Sequence, residues 1–252
     1  MECVFDGNYS ACNGGSALSY QSGTNSDYGN GTGYMRVIDT RFEGNHTDYA
    51  SSMGLPNEVG RHGGAVRLGH DATPSYFDGC TFIGNYTETP NANRISAYGG
   101  AITYYADQMC YLNNCYFEGN RAARGGAISG LNCGVSGIYL NACSFSGNYN
   151  SWGGGSSIVL CGVKKLGMNN CSFNDNTYVS NWNNTREDGS WVYVSGSYKY
   201  GAGVNNTQTD NVVTEEVVIS NCTVIGTNRG PSAAEITASG RELAYRKSDM
   251  PW

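Results

Sequence analysis

The run Cys115-Tyr116-Phe117-Glu118-Gly119-Asn120, followed by Gly125-Gly126-Ala127-Ile128, decides the fold of this chain. It returns as Cys143-Ser144-Phe145-Ser146-Gly147-Asn148 with Gly153-Gly154-Gly155 behind it, and Phe117, Phe145 and Phe173 stand 28 residues apart. Outward from this pair, Phe-x-x-Asn begins at Phe5, Phe42, Phe82, Phe117, Phe145 and Phe173, and a degenerate copy runs from Val224 to Asn228. Two residues earlier stand Cys3, Cys80, Cys115, Cys143, Cys171 and Cys222, with Thr40 in the second copy. Small-residue elements follow at Gly14-Gly15-Ser16, Gly63-Gly64-Ala65-Val66, Gly99-Gly100-Ala101-Ile102 and Gly201-Ala202-Gly203-Val204.

Cys143 and Phe145 are i and i+2, so in an extended chain both face the same side. The short apolar stretches alternate with period two, which is strand patterning and not a helical stripe. One unit cannot bury such a face alone; stacked identical turns can. The expectation is an all-β chain folded as a parallel β-helix (a β-solenoid) of about seven turns. It forms one domain over 1–236, followed by a tail at 237–252 that could latch or cap. Phe should stack on Phe at the strand spacing of about 4.8 Å. Asn suits left-handed corners and can bond to the turns above and below. The alternative is a propeller of seven β-hairpin blades, disfavoured because a four-stranded blade needs about 40 residues or more.

Spacing shows where turns lengthen. From motif Asn to the next Gly element lie 4 to 24 residues, while the other half-turn stays near 20 except for the first, where Gly14 to Phe42 is 28. Insertions are therefore expected near 46–62, 86–98 and 177–200, at one corner. Insertions on one face of a repeat protein mark a binding or assembly face. The last carries Tyr178, Trp182, Trp191, Tyr193, Tyr198 and Tyr200, aromatics suited to sugar rings or a protein partner. The alternative is that they fold back over the corner.

Composition narrows the classes. The 252 residues include 36 Gly, 10 Cys and 5 Pro, with 14% charged residues and a formal net charge of −6. Collagen would need periodic Gly with abundant Pro, and disorder would need more charge and less apolar content. An acidic chain does not track phosphates, so no nucleic-acid partner is expected. The longest apolar runs are too short to span a bilayer, so no membrane insertion is expected. Ten Cys point to an oxidising, extracellular setting. No charged-then-apolar leader opens the sequence, so an exported form would rely on a segment removed or outside it.

Equivalent positions one turn apart lie within disulfide reach. Cys133 and Cys161, 28 residues apart, are one candidate pair; the column Cys80, Cys115, Cys143, Cys171 is another, or a stack of free thiols. Candidate glycosylation sites are Asn30, Asn170, Asn183, Asn205 and Asn221. The sequons at Asn8, Asn45 and Asn85 coincide with motif Asn. No Cys-x-x-Cys occurs among only 3 His, so no metal or cofactor is expected. Catalysis is not expected either: Asp71, Asp78 and Asp107 are scattered, Lys164-Lys165 lacks a nearby acid, and His62 and His70 lack a nucleophile pattern.

Phe-x-x-Asn with Gly-Gly-Ala-Ile/Val, over roughly residues 3 to 236, resembles the polymorphic membrane protein family of chlamydiae and related right-handed β-helix surface proteins. The resemblance implies a right-handed β-helix at the cell surface or outside the cell, used for adhesion or display. The chain starts in mid-turn at Cys3-Val4-Phe5, and Ala233-Ala234-Glu235-Ile236 leads toward where another Cys-x-Phe would begin. The leading expectation is therefore a structural protein stacking head to tail into a fibre. An adhesin binding glycans or a protein through the inserted aromatics is the alternative, and a polysaccharide-degrading enzyme the lesser one.

Overall fold

Short runs of β-branched and aromatic residues between Gly/Asn corners form strands of two to five residues. The structure, a computed structural model, describes residues 2–10, 15–20, 33–47, 61–69, 74–87, 97–104, 108–131, 137–150, 155–178, 191–195 and 215–225. Each turn visits four stations in a fixed order, and strands at one station pair in parallel with those of adjacent turns. The result is a right-handed parallel β-helix.

The Phe sheet runs Cys3–Asp6, Thr40–Glu43, Thr81–Ile83, Tyr116–Glu118, Ser144–Ser146, Ser172–Asn174 and Thr223–Ile225. A short sheet follows: Tyr9–Ser10, His46–Thr47, Tyr86–Thr87, Arg121–Ala122, Tyr149–Asn150 and Thr177–Tyr178. The Gly sheet comprises Leu18–Tyr20, Val66–Leu68, Ile102–Tyr104, Ile128–Leu131, Ile158–Cys161 and Val192–Ser195. The Tyr sheet closes the turn with Met35–Ile38, Ser75–Asp78, Cys110–Asn113, Gly137–Asn141, Lys165–Asn169 and Glu216–Ser220.

Three columns fill the interior. Phe5, Phe42, Phe82, Phe117, Phe145 and Phe173 stack with centroids 4.7–5.1 Å apart and planes within 5°. Val224 takes the Phe position in the next strand. Beside them runs the Asn ladder of Asn8, Asn45, Asn85, Asn120, Asn148 and Asn176. In each step the backbone N–H and Nδ2 of one Asn both donate to Oδ1 of the next, at 2.7–3.1 Å. From Asn45 on, Nδ2 also donates back to the Phe carbonyl of the preceding turn at 2.9–3.0 Å. Asn45 through Asn176 are fully buried, so these bonds satisfy groups that water cannot reach.

The third column is Thr40, Cys80, Cys115, Cys143 and Cys171. Thr40 Oγ1 donates to the Ile38 carbonyl at 2.8 Å. Each thiol lies 3.3–3.6 Å from the carbonyl two residues back and 3.3–3.7 Å from one on the preceding turn. The thiol therefore does the work of a hydroxyl, which explains Thr in one copy. All eight cysteines among the described residues are free thiols.

Corners use left-handed backbone. Gly of Phe-x-Gly-Asn has φ of 59–61° at Gly7, Gly44, Gly84, Gly119 and Gly147. Before the Cys column the same conformation is taken by Asp39, Gly79, Asn114, Ala142, Asn170 and Asn221. The second Gly of Gly-Gly-Ala answers a different need: a Cβ at Gly100 would lie 2.1 Å from the Gly126 carbonyl oxygen.

Two expectations need correction. Cys161 pairs in register with Leu131 and Ser195, not with a residue 28 positions away. The connection 151–157 is two residues longer than 123–127, which shifts the register in the Gly sheet. Cys133 and Cys12 lie outside the described residues. The second correction concerns 177–200: Val192–Ser195 already occupies the Gly-sheet station, so Gly201-Ala202-Gly203-Val204 is not that corner. Segments 48–60, 88–96 and 179–190 join the short sheet to the Gly sheet, whereas 21–32 and 196–214 join the Gly sheet to the Tyr sheet.

Outside the Gly sheet lies a partial second layer. Arg61–His62 pairs in parallel with Ala97–Tyr98, and Tyr98 bridges to Arg124. Thr103 Oγ1 donates to the Tyr98 carbonyl and accepts from the Gly63 N–H, both at 2.6 Å. Thr103, Ser129 and Val159 face outward from the sheet yet are buried, and Tyr98, Val159 and Cys161 form an apolar cluster with Tyr193 against it.

Candidate functional site

The Tyr sheet presents its outward side chains in two adjacent rows. The first is Arg36, Tyr76, Tyr111, Tyr139, Gly167 and Val218; the second is Ile38, Asp78, Asn113, Asn141, Asn169 and Ser220. Strand alternation puts both rows on one face, because the two residues of each strand are i and i+2. Tyr76 stacks on Tyr111 at 4.9 Å and Tyr111 on Tyr139 at 5.6 Å, with planes within 11°. Tyr34 meets Tyr76 edge-on at 5.9 Å and 87°. The ring of Tyr139 leans over the next turn: a Cβ at Gly167 would lie 2.1 Å from Cδ1 of that ring. Burial between its two neighbours pushes the Tyr111 hydroxyl above its ordinary pKa.

In the amide row, Asn169 Nδ2 donates to Asn141 Oδ1 at 3.1 Å. Ser220 Oγ and Asn221 Nδ2 donate to Asn169 Oδ1 at 2.9 and 3.2 Å. At the opposite end Arg36 Nη2 lies 3.3 Å from Asp78 Oδ2, with both side chains partly exposed. Here a groove of about 340 Å³ opens, lined by Tyr34, Arg36, Tyr76, Asp78 and Asn113. It joins a flat aromatic face, an aromatic edge and a compensated ion pair.

The short sheet carries a second outward strip of Tyr9, His46, Tyr86, Arg121 and Tyr149. His46 stacks on Tyr86 at 4.7 Å, and Arg121 lies 5.3 Å from the centroid of the same ring.

The candidates from the inserted loop part company. Tyr178 and Trp191 are buried, Trp191 against the main core, and Tyr193 is half-buried beside Val159 and Cys161. Trp182, Tyr198 and Tyr200 lie outside the described residues, as do Asn30, Asn183 and Asn205. Asn170 and Asn221 are exposed at left-handed corners. Lys164 and Lys165 do have acids nearby: Glu215 at 3.3 Å and Glu216 at 3.7 Å, supplied by the next turn. Neighbouring thiols of the Cys column act on one another, so Cys115 and Cys171 are pushed up while Cys80 and Cys143 are pushed down, and burial opposes charge at all four.

The Tyr rows were not singled out from the sequence, because Tyr76 and Tyr111 are 35 residues apart and break the 28-residue period. A usable signal existed. Tyr76, Tyr111 and Tyr139 each stand four residues before a column Cys, as do Arg36 before Thr40 and Gly167 before Cys171.

Among the described residues, no helix is long and apolar enough to cross a membrane, and no three His, Cys, Asp or Glu group as metal ligands. No curated protein and no solved structure matches the chain. A family match falls on 114–131, the span holding Cys115, Phe117, Asn120 and Gly125-Gly126-Ala127-Ile128. That segment is similar to the Chlamydia polymorphic membrane protein repeat.

Proposed function

We propose that this chain is a cell-surface β-helix that binds a partner through the outward face of its Tyr sheet. The similarity to the Chlamydia polymorphic membrane protein repeat supports the location. The observation carrying the binding role is the double row of stacked Tyr and amides ending in an open groove. Stacked rings standing on a rigid sheet are ordered before any partner arrives, which lowers the entropy cost of binding. Asp78 is engaged by Arg36, and among the described residues no second carboxylate lines the groove. This favours binding over paired-acid hydrolysis. The test coats beads with the chain and measures retention on immobilised matrix proteins and polysaccharides. Retention should fall sharply for the double variant Tyr76→Ala/Tyr111→Ala and persist for Tyr149→Ala on the other face. Equal retention of all three would end this reading.

Head-to-tail stacking into a fibre is the second reading, favoured by one observation. Large apolar side chains exposed on the described surface sit mainly toward the two ends of the stack: Val4 and Ile38 at one, Val217, Val218 and Ile225 at the other. Such patches promote association. Electron microscopy at rising concentration should show filaments, and particles that stay single would dismiss it.

A further inference from the structure

We infer that the groove of Tyr34, Arg36, Tyr76, Asp78 and Asn113 receives an uncharged pyranose ring of a glycan; this rests on the Tyr sheet being the binding face. The stack itself locates the site. Tyr111 has both ring faces covered, by Tyr76 on one side and Tyr139 on the other. Tyr139 spends its remaining face on Gly167. Tyr76 alone has a flank that no ring of its own row stacks on, because the next outward residue there is Arg36. Tyr34 stands across that flank at 87° and is 69% exposed, so the two rings make an aromatic corner. A sugar ring offers an apolar C–H face to such a surface while its hydroxyls point outward around the rim.

The rim selects among flat ligands. The Arg36–Asp78 pair supplies donors and acceptors side by side with no net charge, and Asn113 adds an amide. Hydroxyl groups, which donate and accept, match that arrangement; an isolated anion or cation does not. A nucleotide would also stack, but its phosphates gain nothing from a charge-balanced groove on a chain of formal net charge −6. Elsewhere the polar row is used internally, since Asn141, Asn169, Ser220 and Asn221 hydrogen-bond to one another. The groove is thus where ligand hydroxyls find partners. Its volume of about 340 Å³ falls at the small end of ligand pockets, enough for a short glycan segment.

The experiment titrates the full chain by calorimetry with neutral pentasaccharides (cello-, chito-, laminari-, xylo- and mannopentaose) and with anionic heparin and galacturonan fragments. At least one neutral sugar should bind saturably, with little change between low and high salt. Tyr76→Ala should weaken it about ten-fold or more, as loss of a stacking platform does. Tyr34→Ala, at an exposed position that does not threaten folding, should also weaken it, and Tyr149→Ala should leave it unchanged. Preference for the anionic fragments, abolished by Arg36→Ala, would overturn the sugar class while keeping the face. Neutral binding indifferent to Tyr76→Ala and Tyr34→Ala would overturn the site. Absence of glycan binding would refute the ligand class; if bead retention still depended on Tyr76 and Tyr111, the binding face would stand, and otherwise both would fall.

Discussion

The chain builds two aromatic stacks from the same strand spacing, one inside and one outside. The Phe column continues through six rings, all within 5° of parallel. The Tyr stack has three rings, opens to 5.6 Å, and ends at Arg36 on one side and Gly167 on the other. Stacking geometry alone does not explain the difference. Inside, a turn that omitted Phe would leave a void against its neighbours on both sides, and interiors tolerate voids poorly. Outside, water fills any gap, so each turn is free to supply Tyr, Arg, Gly or Val. Uniformity therefore marks what the fold requires, and interruption marks what the surface was left to choose.

Several substitutions put that contrast to the test. Phe117→Ala removes a ring contacted on both faces and should cost about 3–5 kcal/mol in chemical denaturation. If it cost no more than Tyr111→Ala, the division between required and optional stacks would collapse. Asn120→Ala should come next, near 3 kcal/mol, since it strips the acceptor from the Asn85 N–H and Nδ2 and a donor from the Phe82 carbonyl, at roughly 1–3 kcal/mol per orphaned buried group.

A pH titration tests the interior in another way. Burial pushes the Cys110 thiol up, and the neighbouring Cys143 adds to the shift. The folded chain then keeps a proton that the unfolded chain releases, so this stability is present in full below the unfolded thiol value of 9.0 and is lost as pH rises beyond it. The slope is up to about 1.4 kcal/mol per pH unit for one such group. Unfolding midpoints of Cys110→Val should fall less steeply above pH 9 than those of the parent; identical slopes would remove Cys110 as a cause. Tyr111→Ala should cost only about 1 kcal/mol, the scale of an aromatic pair beyond its burial. Smallest is a gain: Ala142 sits at φ 53°, so Ala142→Gly should stabilise by up to about 1 kcal/mol, visible as a raised melting temperature. A loss there would show that the corner tolerates Ala without strain.

What recurred in nearly every turn was legible in the sequence, because the interior repeats its demand. Phe, Asn and Cys form columns legible in the sequence alone, and Thr40 falls in the Cys slot. What depended on a single turn was not. Val192–Ser195 enters the Gly sheet behind Trp191 without a Gly-Gly-Ala signature. Two extra residues in one connection were enough to move Cys161 out of its apparent register. The layer built by Tyr98 and Arg124 uses parallel pairing between insertions that share no motif. The groove was hidden for a related reason: its residues belong to different turns and are neighbours only once the turns are stacked.

Every step of the Asn ladder runs the same way, with the backbone N–H and the side-chain Nδ2 of one Asn each giving a hydrogen to Oδ1 of the Asn in the following turn. Each internal turn therefore carries complementary upper and lower surfaces, like a brick with a stud on one side and a matching socket on the other. Such units are interchangeable, and duplicating or deleting one leaves its neighbours with the same fit. The ladder imposes direction and says nothing of length. Changes in turn number should be among the easiest large alterations this architecture accepts, far easier than the loss of one amide within a turn.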